Sequence, residues 1–453
     1  MVLVRDMPGC VGCPLRGDGT QAFVGDELIE NARVMVVGQN PGEAEAEHGR
    51  PFVGRTGEVM EKRYFKIANL ERGQVSLGNA IRCRWHDSND LPPLVQPRSA
   101  ALGKRGMMED ALIHCQRAHG HVPSGTRLIV TQGEYALWSM TRQRSVTAWR
   151  GWMVPLTTQT SGWKSSVWTP SGYFLGVLVT VHLAAIFRDP SLGLPTRMDW
   201  AKVPRILRGA WPLPFPGYHP EPPKVWPRVS AFDTEFDPET KMLTRYSLYD
   251  GGEKPWVVEA GDVGGVAIPE GPPPTVYMHN VEADILHLER MMGSRVHDFQ
   301  IEDTMLMHSV LWSDLPHDLE YLGSLFARTN RWKHLGFSDP TYSGGDAVGT
   351  YDVALALIRE MREDPQSYWV YRNSVFPLIP TIMEAEKVGL ALDQARVQEA
   401  IEHFERKQQR TAAQAQMYSG FPINLGSPDQ VARWLYQVEG LGVKEKAHRG
   451  RKI

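Results

Sequence analysis

Short apolar runs, each closed by a small or polar residue, recur through the first 190 residues of the chain. Asn31-Ala-Arg-Val-Met-Val-Val-Gly38 is too short for a helix and ends in glycine, which predicts a buried strand feeding a tight loop. Val75-Ser-Leu-Gly-Asn-Ala-Ile-Arg-Cys83, Arg127-Leu-Ile-Val-Thr131 and Gly176-Val-Leu-Val-Thr-Val-His182 repeat the pattern with polar residues at their carboxyl ends. Strands of this kind alternating with helical stretches predict a parallel sheet covered on both faces, whose strand ends line a ligand crevice. A second block opens with Val229-Ser-Ala-Phe-Asp-Thr-Glu-Phe236, where the period of two puts Asp233 and Glu235 on one face of a strand. After residue 362 the pattern turns helical. Asp393 stands as the cap of a helix whose apolar face carries Val397, Ala400, Ile401 and Phe404 and which ends near Gly420. Ser427-Pro-Asp-Gln430 reads as a capping box with proline at the first helical position.

Composition narrows the class without naming a chemistry. The 453 residues predict two to four domains at roughly 100–200 residues each, and 42% hydrophobic with 22% charged residues is ordinary globular usage. The longest apolar stretch, Phe174–Phe187, contains a histidine and is too short for a membrane span, and the N-terminus lacks the pattern of a signal peptide. A net charge of −3 excludes a globally basic nucleic-acid coat, though not a local basic groove. Seven of the 16 residues from Pro212 to Pro227 are proline, which predicts a semi-rigid linker and a domain boundary at 205–228. The four cysteines, Cys10, Cys13, Cys83 and Cys115, all precede that boundary, and in a chain read as intracellular they suggest a metal or cluster site in place of a disulfide scaffold.

Six motifs occur in order before the boundary: Cys10-Val-Gly-Cys-Pro-Leu-Arg, Gly38-Gln-Asn-Pro-Gly, Gly49-Arg-Pro-Phe-Val-Gly-Arg-Thr-Gly, Asn79-Ala-Ile-Arg-Cys-Arg, Trp149-Arg-Gly and His182-Leu-Ala-Ala-Ile-Phe-Arg. Together they resemble the iron–sulfur (family 4) uracil-DNA glycosylases over about residues 5–195. The resemblance implies that Cys10, Cys13, Cys83 and Cys115 hold a 4Fe–4S cluster, zinc being the alternative for any four-cysteine set. The long spacing from Cys83 to Cys115 implies an inserted loop. An extruded uracil must be stacked, read on its polar edge and released as an anion. The resemblance assigns stacking to Phe52, reading to Asn79 and hydrogen-bond donation to His182. One position departs: the family carries a carboxylate second in its loop, and here stands Gln39, followed by Asn40. An amide orients water but neither takes its proton nor balances a developing positive charge. Asn40 matches the amide of the mismatch-directed uracil glycosylases. Slow hydrolysis and uracil binding without turnover both follow as readings of that loop.

Beyond the boundary, Asp233-Thr-Glu235, His279-Asn-Val-Glu-Ala-Asp284, Glu302-Asp-Thr and Tyr342-Ser-Gly-Gly-Asp346 resemble the DEDDy 3′–5′ exonucleases, in particular the proofreading domain of family A DNA polymerases. Cleaving a phosphodiester by water calls for divalent metals, and four carboxylates supply hard oxygen ligands for Mg²⁺ or Mn²⁺. The resemblance implies that Asp233, Glu235, Asp284 and Asp346 hold two such ions and that Tyr342 orients the attacking water. Asn280 and Asp303 are assigned to structure or substrate positioning. Arg328, Arg331, Trp332, Lys333 and His334 mix charge with aromatic rings, a composition suited to single-stranded contacts or to a solvated loop. The last segment resembles the entry to a family A polymerase thumb, with no palm following it before Ile453.

The expected architecture is therefore α/β: a three-layer α/β/α glycosylase-like domain over 1–204, the linker over 205–228, a ribonuclease-H-like α/β exonuclease domain over 229–362, and a helical segment over 363–453. The expected function is DNA replication or repair, by metal-dependent 3′–5′ exonuclease action beside a glycosylase-like domain, in the N-terminal part or a subunit of a family A DNA polymerase. The alternative is a uracil-sensing scaffold with an exonuclease that edits for a separate polymerase. Expected partners are single-stranded 3′ ends, uracil-containing DNA and a polymerase palm and fingers subunit, with no membrane. The expected location is the cytoplasm or nucleoid of a bacterial or phage-infected cell.

Overall fold

Each of the four apolar runs of the first block forms a strand. The computed structural model describes residues 2–17, 21–85, 91–94, 106–155, 176–213, 215–237, 239–260 and 266–436. Its first sheet contains β1 (Val34–Gly38), β2 (Val75–Asn79), β3 (Leu128–Gln132), β4 (Met153–Pro155) and β5 (Gly176–Thr180), in the order β2-β1-β3-β5-β4. All neighbours are parallel except the short edge strand β4. Alternation splits the sheet residues between two cores. Val36, Leu77, Val130 and Leu178 pack with Phe65 and Trp200 on one face, and Met35, Val37, Ile129 and Val179 pack with Leu112 and Leu137 on the other. Leu112 belongs to α1 (Met107–His119) and Trp200 to α2 (Gly193–Ala201). This is the expected three-layer α/β/α arrangement. The strand order reverses at β1, which opens a crevice at its carboxyl end. Residues 86–90 and 95–105 of the inserted loop expected between Cys83 and Cys115, and residues 174–175 at the start of the Phe174 stretch, lie outside the described residues.

The second sheet holds β6 (Val229–Phe236), β7 (Leu243–Tyr249), β8 (Trp256–Glu259), β9 (Thr275–Met278) and β10 (Gln300–Asp303), in the order β8-β7-β6-β9-β10. The first three pair antiparallel, and β6, β9 and β10 run parallel, giving the ribonuclease-H-like sheet. Helix α3 (Val281–Met292) lies between β9 and β10, and α4 (Leu319–Phe326) and α5 (Pro340–Glu363) come after β10. Both sheets belong to one compact unit that extends past residue 362 to Ile379. Tyr371 shows why: it is buried, its hydroxyl donates to Glu302 (2.9 Å), and it accepts from the Asp303 N–H (2.9 Å).

The proline-rich segment does not stand free as a spacer. Trp211 is buried and its indole N–H donates to the Ala327 carbonyl at 3.0 Å. Leu213, His219 and Val225 make bridges to Thr329, Trp256 and Ala267. Proline removes backbone donors but leaves the residues between free to pair, so the segment is laid against the second sheet's region.

The second unit, Pro380–Ile453, contains α6 (Gln394–Ser419). Asp393 caps it through the N–H groups of Ala395 and Arg396, and Gly420 closes it in the left-handed conformation, as the sequence predicts. Ile401 and Phe404 of its predicted apolar face are exposed. Ser427 caps the following helix, accepting from the Gln430 N–H at 3.4 Å, but the Gln430 side chain turns to the Asn424 N–H instead of completing the box.

Candidate active sites

Alternation in β6 and one turn of α5 bring three carboxylates together. Oxygen atoms of Asp233, Glu235 and Asp346 lie within 4.8 Å of one another. Asp284, in the first turn of α3, is buried beside them, and its Oδ1 accepts from the Thr234 N–H (2.9 Å) and hydroxyl (2.6 Å). Asp303 binds the N–H groups of Val281 (2.7 Å) and Leu306 (3.0 Å), and Asn280 turns the chain into α3 at φ +66°. Both therefore shape the fold around the site.

Burial, followed by repulsion from Asp346, Asp284 and Glu235, holds the Asp233 carboxyl well above the usual range. Burial and Asp346 push Glu235 up to about 7, and burial likewise raises Asp284 to about 7. An ammonium sits among them. Lys333 Nζ is 2.6 and 2.8 Å from the two Asp346 oxygens and donates to the Tyr342 hydroxyl at 3.0 Å. A crowded all-oxygen set that resists ionising without a cation fits hard divalent ions.

The four cysteines also converge. Cys10, Cys13, Cys83 and Cys115 line one small cavity with Arg16, His114 and His119, and none is in a disulfide. Burial and the neighbouring Cys115 and Cys13 push Cys10 up to about 11, and burial with the same crowding raises Cys83. Arg82 donates to Cys115 Sγ at 3.7 Å and pairs with Asp26 at 2.5 Å, which places a buried cation beside the sulfurs. Four soft donors whose thiolate forms need positive charge nearby fit a metal or cluster.

In the crevice of the first sheet, two glycines mark where the predicted residues meet. A Cβ on Gly38 would lie 2.4 Å from Asn79 Oδ1 and 2.8 Å from Phe52 Cζ. A Cβ on Gly133, at φ +91°, would lie 2.6 Å from Gln39 Nε2 and 3.2 Å from His182 Cβ. Phe52, Asn79, Gln39 and His182 thus gather at the carboxyl ends of the parallel strands. Asn40 turns back on its loop, donating to the Pro41 carbonyl at 3.4 Å. Asn79 Nδ2 is buried without a hydrogen-bond partner. His182 Nδ1 accepts from the Ala184 N–H at 3.3 Å, and burial lowers its pKa to about 4. The ring is therefore neutral at pH 7 with its proton on Nε2.

Two residues that hold this crevice escaped the sequence reading. Phe52 sits at φ +55°, with its N–H donating to Glu45 Oε1, while Glu45 Oε2 accepts from the Gly42 N–H at 2.6 Å. Arg72 donates to the carbonyls of Pro51 (2.8 Å) and Phe52 (3.1 Å). The glutamate at the third helical position after Gly42 is a capping signal legible in the sequence; nothing local marks Arg72. The stretch from Arg328 to His334 also needs correction. Trp332 is buried, Lys333 lies among the carboxylates, Arg331 pairs with Glu320, and Arg328 pairs with Asp352. Rings and cations suit a carboxylate-lined interior as well as a DNA strand, and here Trp332 and Lys333 turn inward while His334 stays exposed.

The model of the uracil DNA glycosylase superfamily matches residues 26–206. The first region is a uracil DNA glycosylase superfamily domain. A type-4 uracil-DNA glycosylase of Sulfurisphaera tokodaii is 29% identical over 204 residues, which is 44% of this chain and 80% of that protein. A DNA polymerase I of Chloroflexus aurantiacus is 26% identical over 140 residues, 30% of this chain but only 14% of the polymerase. Among solved structures, Escherichia coli RNase D, an exoribonuclease involved in structured RNA processing, aligns at 15% identity with a TM-score of 0.25, covering 32% of this chain and 41% of that one. The chain joins a glycosylase-superfamily domain to a region whose mixed sheet has the ribonuclease-H-like strand order. No helix among the described residues is long and apolar enough to cross a membrane.

Proposed function

We propose that this chain is a DNA-processing hydrolase whose second region removes nucleotides from 3′ ends with divalent metal. The observation that carries the reading is the convergence of Asp233, Glu235 and Asp346 oxygens within 4.8 Å beside the Tyr342 hydroxyl. Asp233, Glu235 and Asp346 would hold one Mg²⁺ or Mn²⁺, with Asp284 and Asp233 supporting a second. Such ions, when bound, lower the pKa of water and neutralise charge on the phosphate. Tyr342 accepts a hydrogen bond from Lys333, which leaves its own O–H to donate to an incoming water. Asp233→Ala with Glu235→Ala should abolish shortening of a 5′-labelled single strand while leaving strand binding largely intact. Tyr342→Phe keeps the ligands and should slow the reaction less. Wild-type shortening by the double variant overturns the reading.

The glycosylase-superfamily domain is read as a uracil pocket. Phe52 stacks the base, the unpartnered Asn79 amide reads its edge, and neutral His182 donates from Nε2 to the oxygen that gains charge as the base leaves. Cys10, Cys13, Cys83 and Cys115 would carry a 4Fe–4S cluster, acting there as a structural anchor. Gln39 beside His182 supports binding with slow turnover, or sensing, because no carboxylate takes that loop position. Release of uracil from a uracil-containing strand separates the two. In this reading the chain serves DNA replication or repair.

A further inference from the structure

One short stretch, Asn330-Arg-Trp-Lys-His334, touches both regions of the first unit. Asn330 is tied to the glycosylase-superfamily domain at both ends of its amide: Oδ1 accepts from the Met153 N–H at 3.1 Å, and Nδ2 donates to the Met153 carbonyl at 2.8 Å. Arg331 lies 4.4 Å over the Trp149 ring, and His334 stands 6.2 Å from the same ring. Trp332 meets Trp152 edge-on at 5.8 Å. It fills a slot between helices α4 and α5 where a Cβ on Gly323, Gly345 or Gly349 would lie 2.8, 2.3 or 2.4 Å from the indole. Glycine is a poor helix residue, so two of them one turn apart inside α5 need a reason, and the ring that occupies their place is one.

The far side of this stretch ends on the carboxylates. Trp332 Nε1–H donates to Asp346 Oδ1 at 2.7 Å, and Lys333 donates to Asp346 Oδ2 at 2.8 Å and to the Tyr342 hydroxyl at 3.0 Å. Asp346 therefore has both oxygens held by neighbours on a stretch that is itself clamped to the other region. Behind it the joint is polar and buried. Arg150 reaches Asp199 and the Ser324 hydroxyl (2.9 Å), and Lys202 donates to the carbonyls of Gly151 and Ser324, both at 2.6 Å.

We propose that Asn330–His334 is a positioning strap, through which the glycosylase-superfamily domain fixes Trp332 and Lys333 and these set Asp346 and Tyr342 for the nuclease reaction. The inference rests on the nuclease reading above. Trp332 and Lys333 are positioning residues: they act through Asp346 and Tyr342. Their effects differ in sign. The Trp332 N–H orients a ligand, so its loss weakens metal binding. The Lys333 ammonium orders Tyr342 but shares Asp346 with any bound cation, so its loss tightens metal binding while slowing turnover.

The test uses the full chain, with Mn²⁺ binding followed by loss of the free-ion electron paramagnetic resonance signal, alongside 3′ shortening of a labelled strand. Trp332→Phe keeps a ring in the slot without the N–H and should weaken Mn²⁺ binding ~10–100-fold, the usual cost of losing a partner behind a metal ligand. Asn330→Ala touches no carboxylate and should shift binding in the same direction. If it melts at the assay temperature, Arg331→Gln, which loses the contact over Trp149, carries the same expectation. Lys333→Gln should bind Mn²⁺ about tenfold tighter, on the scale of removing one nearby positive charge, yet turn over more slowly. Lys333→Arg should recover part of the rate. Unchanged Mn²⁺ affinity and rate in folded Trp332→Phe and Asn330→Ala would overturn the strap, as would Lys333→Gln with unchanged affinity and rate. If the Asp233→Ala, Glu235→Ala double variant also binds Mn²⁺ and shortens DNA normally, it is the nuclease reading that has failed.

Discussion

Glu235→Gln should stabilise the metal-free protein at pH 8 and have little effect at pH 5. Burial, with Asp346 as the next cause, raises the Glu235 pKa from 4.5 to about 7. A folded-state value above the unfolded one means that the folded protein binds the proton more tightly. That stabilisation is fully present below about 4.5 and is lost as pH rises through about 7. At 1.36 kcal/mol per pH unit, the difference is about 3 kcal/mol for a fully buried group. Glu235 is half-buried, and solvent screening reduces this to about 1–2 kcal/mol. Glutamine keeps the shape and cannot ionise, so it retains at pH 8 what wild type loses. Urea unfolding with a chelator present, at pH 8 and pH 5, reads this as a higher midpoint for the variant at pH 8 with an unchanged slope. Adding Mg²⁺ or Mn²⁺ should raise the wild-type midpoint more than the variant's, because the ions replace the missing positive charge and Glu235 is one of their ligands. A variant no more stable than wild type at pH 8 without metal would refute the argument that burial and the neighbouring Asp346 disfavour the ionised Glu235.

Three further outcomes are expected. Cys83→Ala should strip iron and the broad visible absorbance from anaerobically purified protein and destabilise the first region; stoichiometric zinc without iron in the wild type would refute the cluster. Gln39→Glu should raise uracil release, since restoring an electrostatic stabiliser of this kind is commonly worth ~10²–10³ in rate; equal activity would mean that Asn40 and His182 suffice. Gly57→Ala should abolish uracil binding, because its Cβ would lie 1.9 Å from the Phe52 carbonyl oxygen and the Phe52 loop would have to move; calorimetric titration with a uracil-containing strand would detect retained binding and refute this.

The sequence by itself determined the features that follow from local rules. The four runs of the first sheet became strands because buried β-branched runs closed by glycine or polar residues admit little else, and their polar ends put Asn79 and His182 at one crevice. A period of two sufficed to put Asp233 and Glu235 on one face, and Asp393 with Gly420 marked both ends of α6. What only the tertiary structure decided is which long-range partner each ambiguous segment found. Residues 328–334 have the composition of a strand-binding loop, yet the indole of Trp332 is used to fill the glycine slot of α5 and to hold Asp346. The prolines of 212–227 read as a spacer, yet Trp211 and Leu213 dock on residues more than a hundred positions later. Arg72 carries no local signal and matters because it reaches back to the Phe52 loop. Periodicity and caps are set within a few neighbouring residues, so one chain segment contains them. A buried aromatic or a paired charge takes its role from groups distant in sequence, and those meet only when the chain has folded.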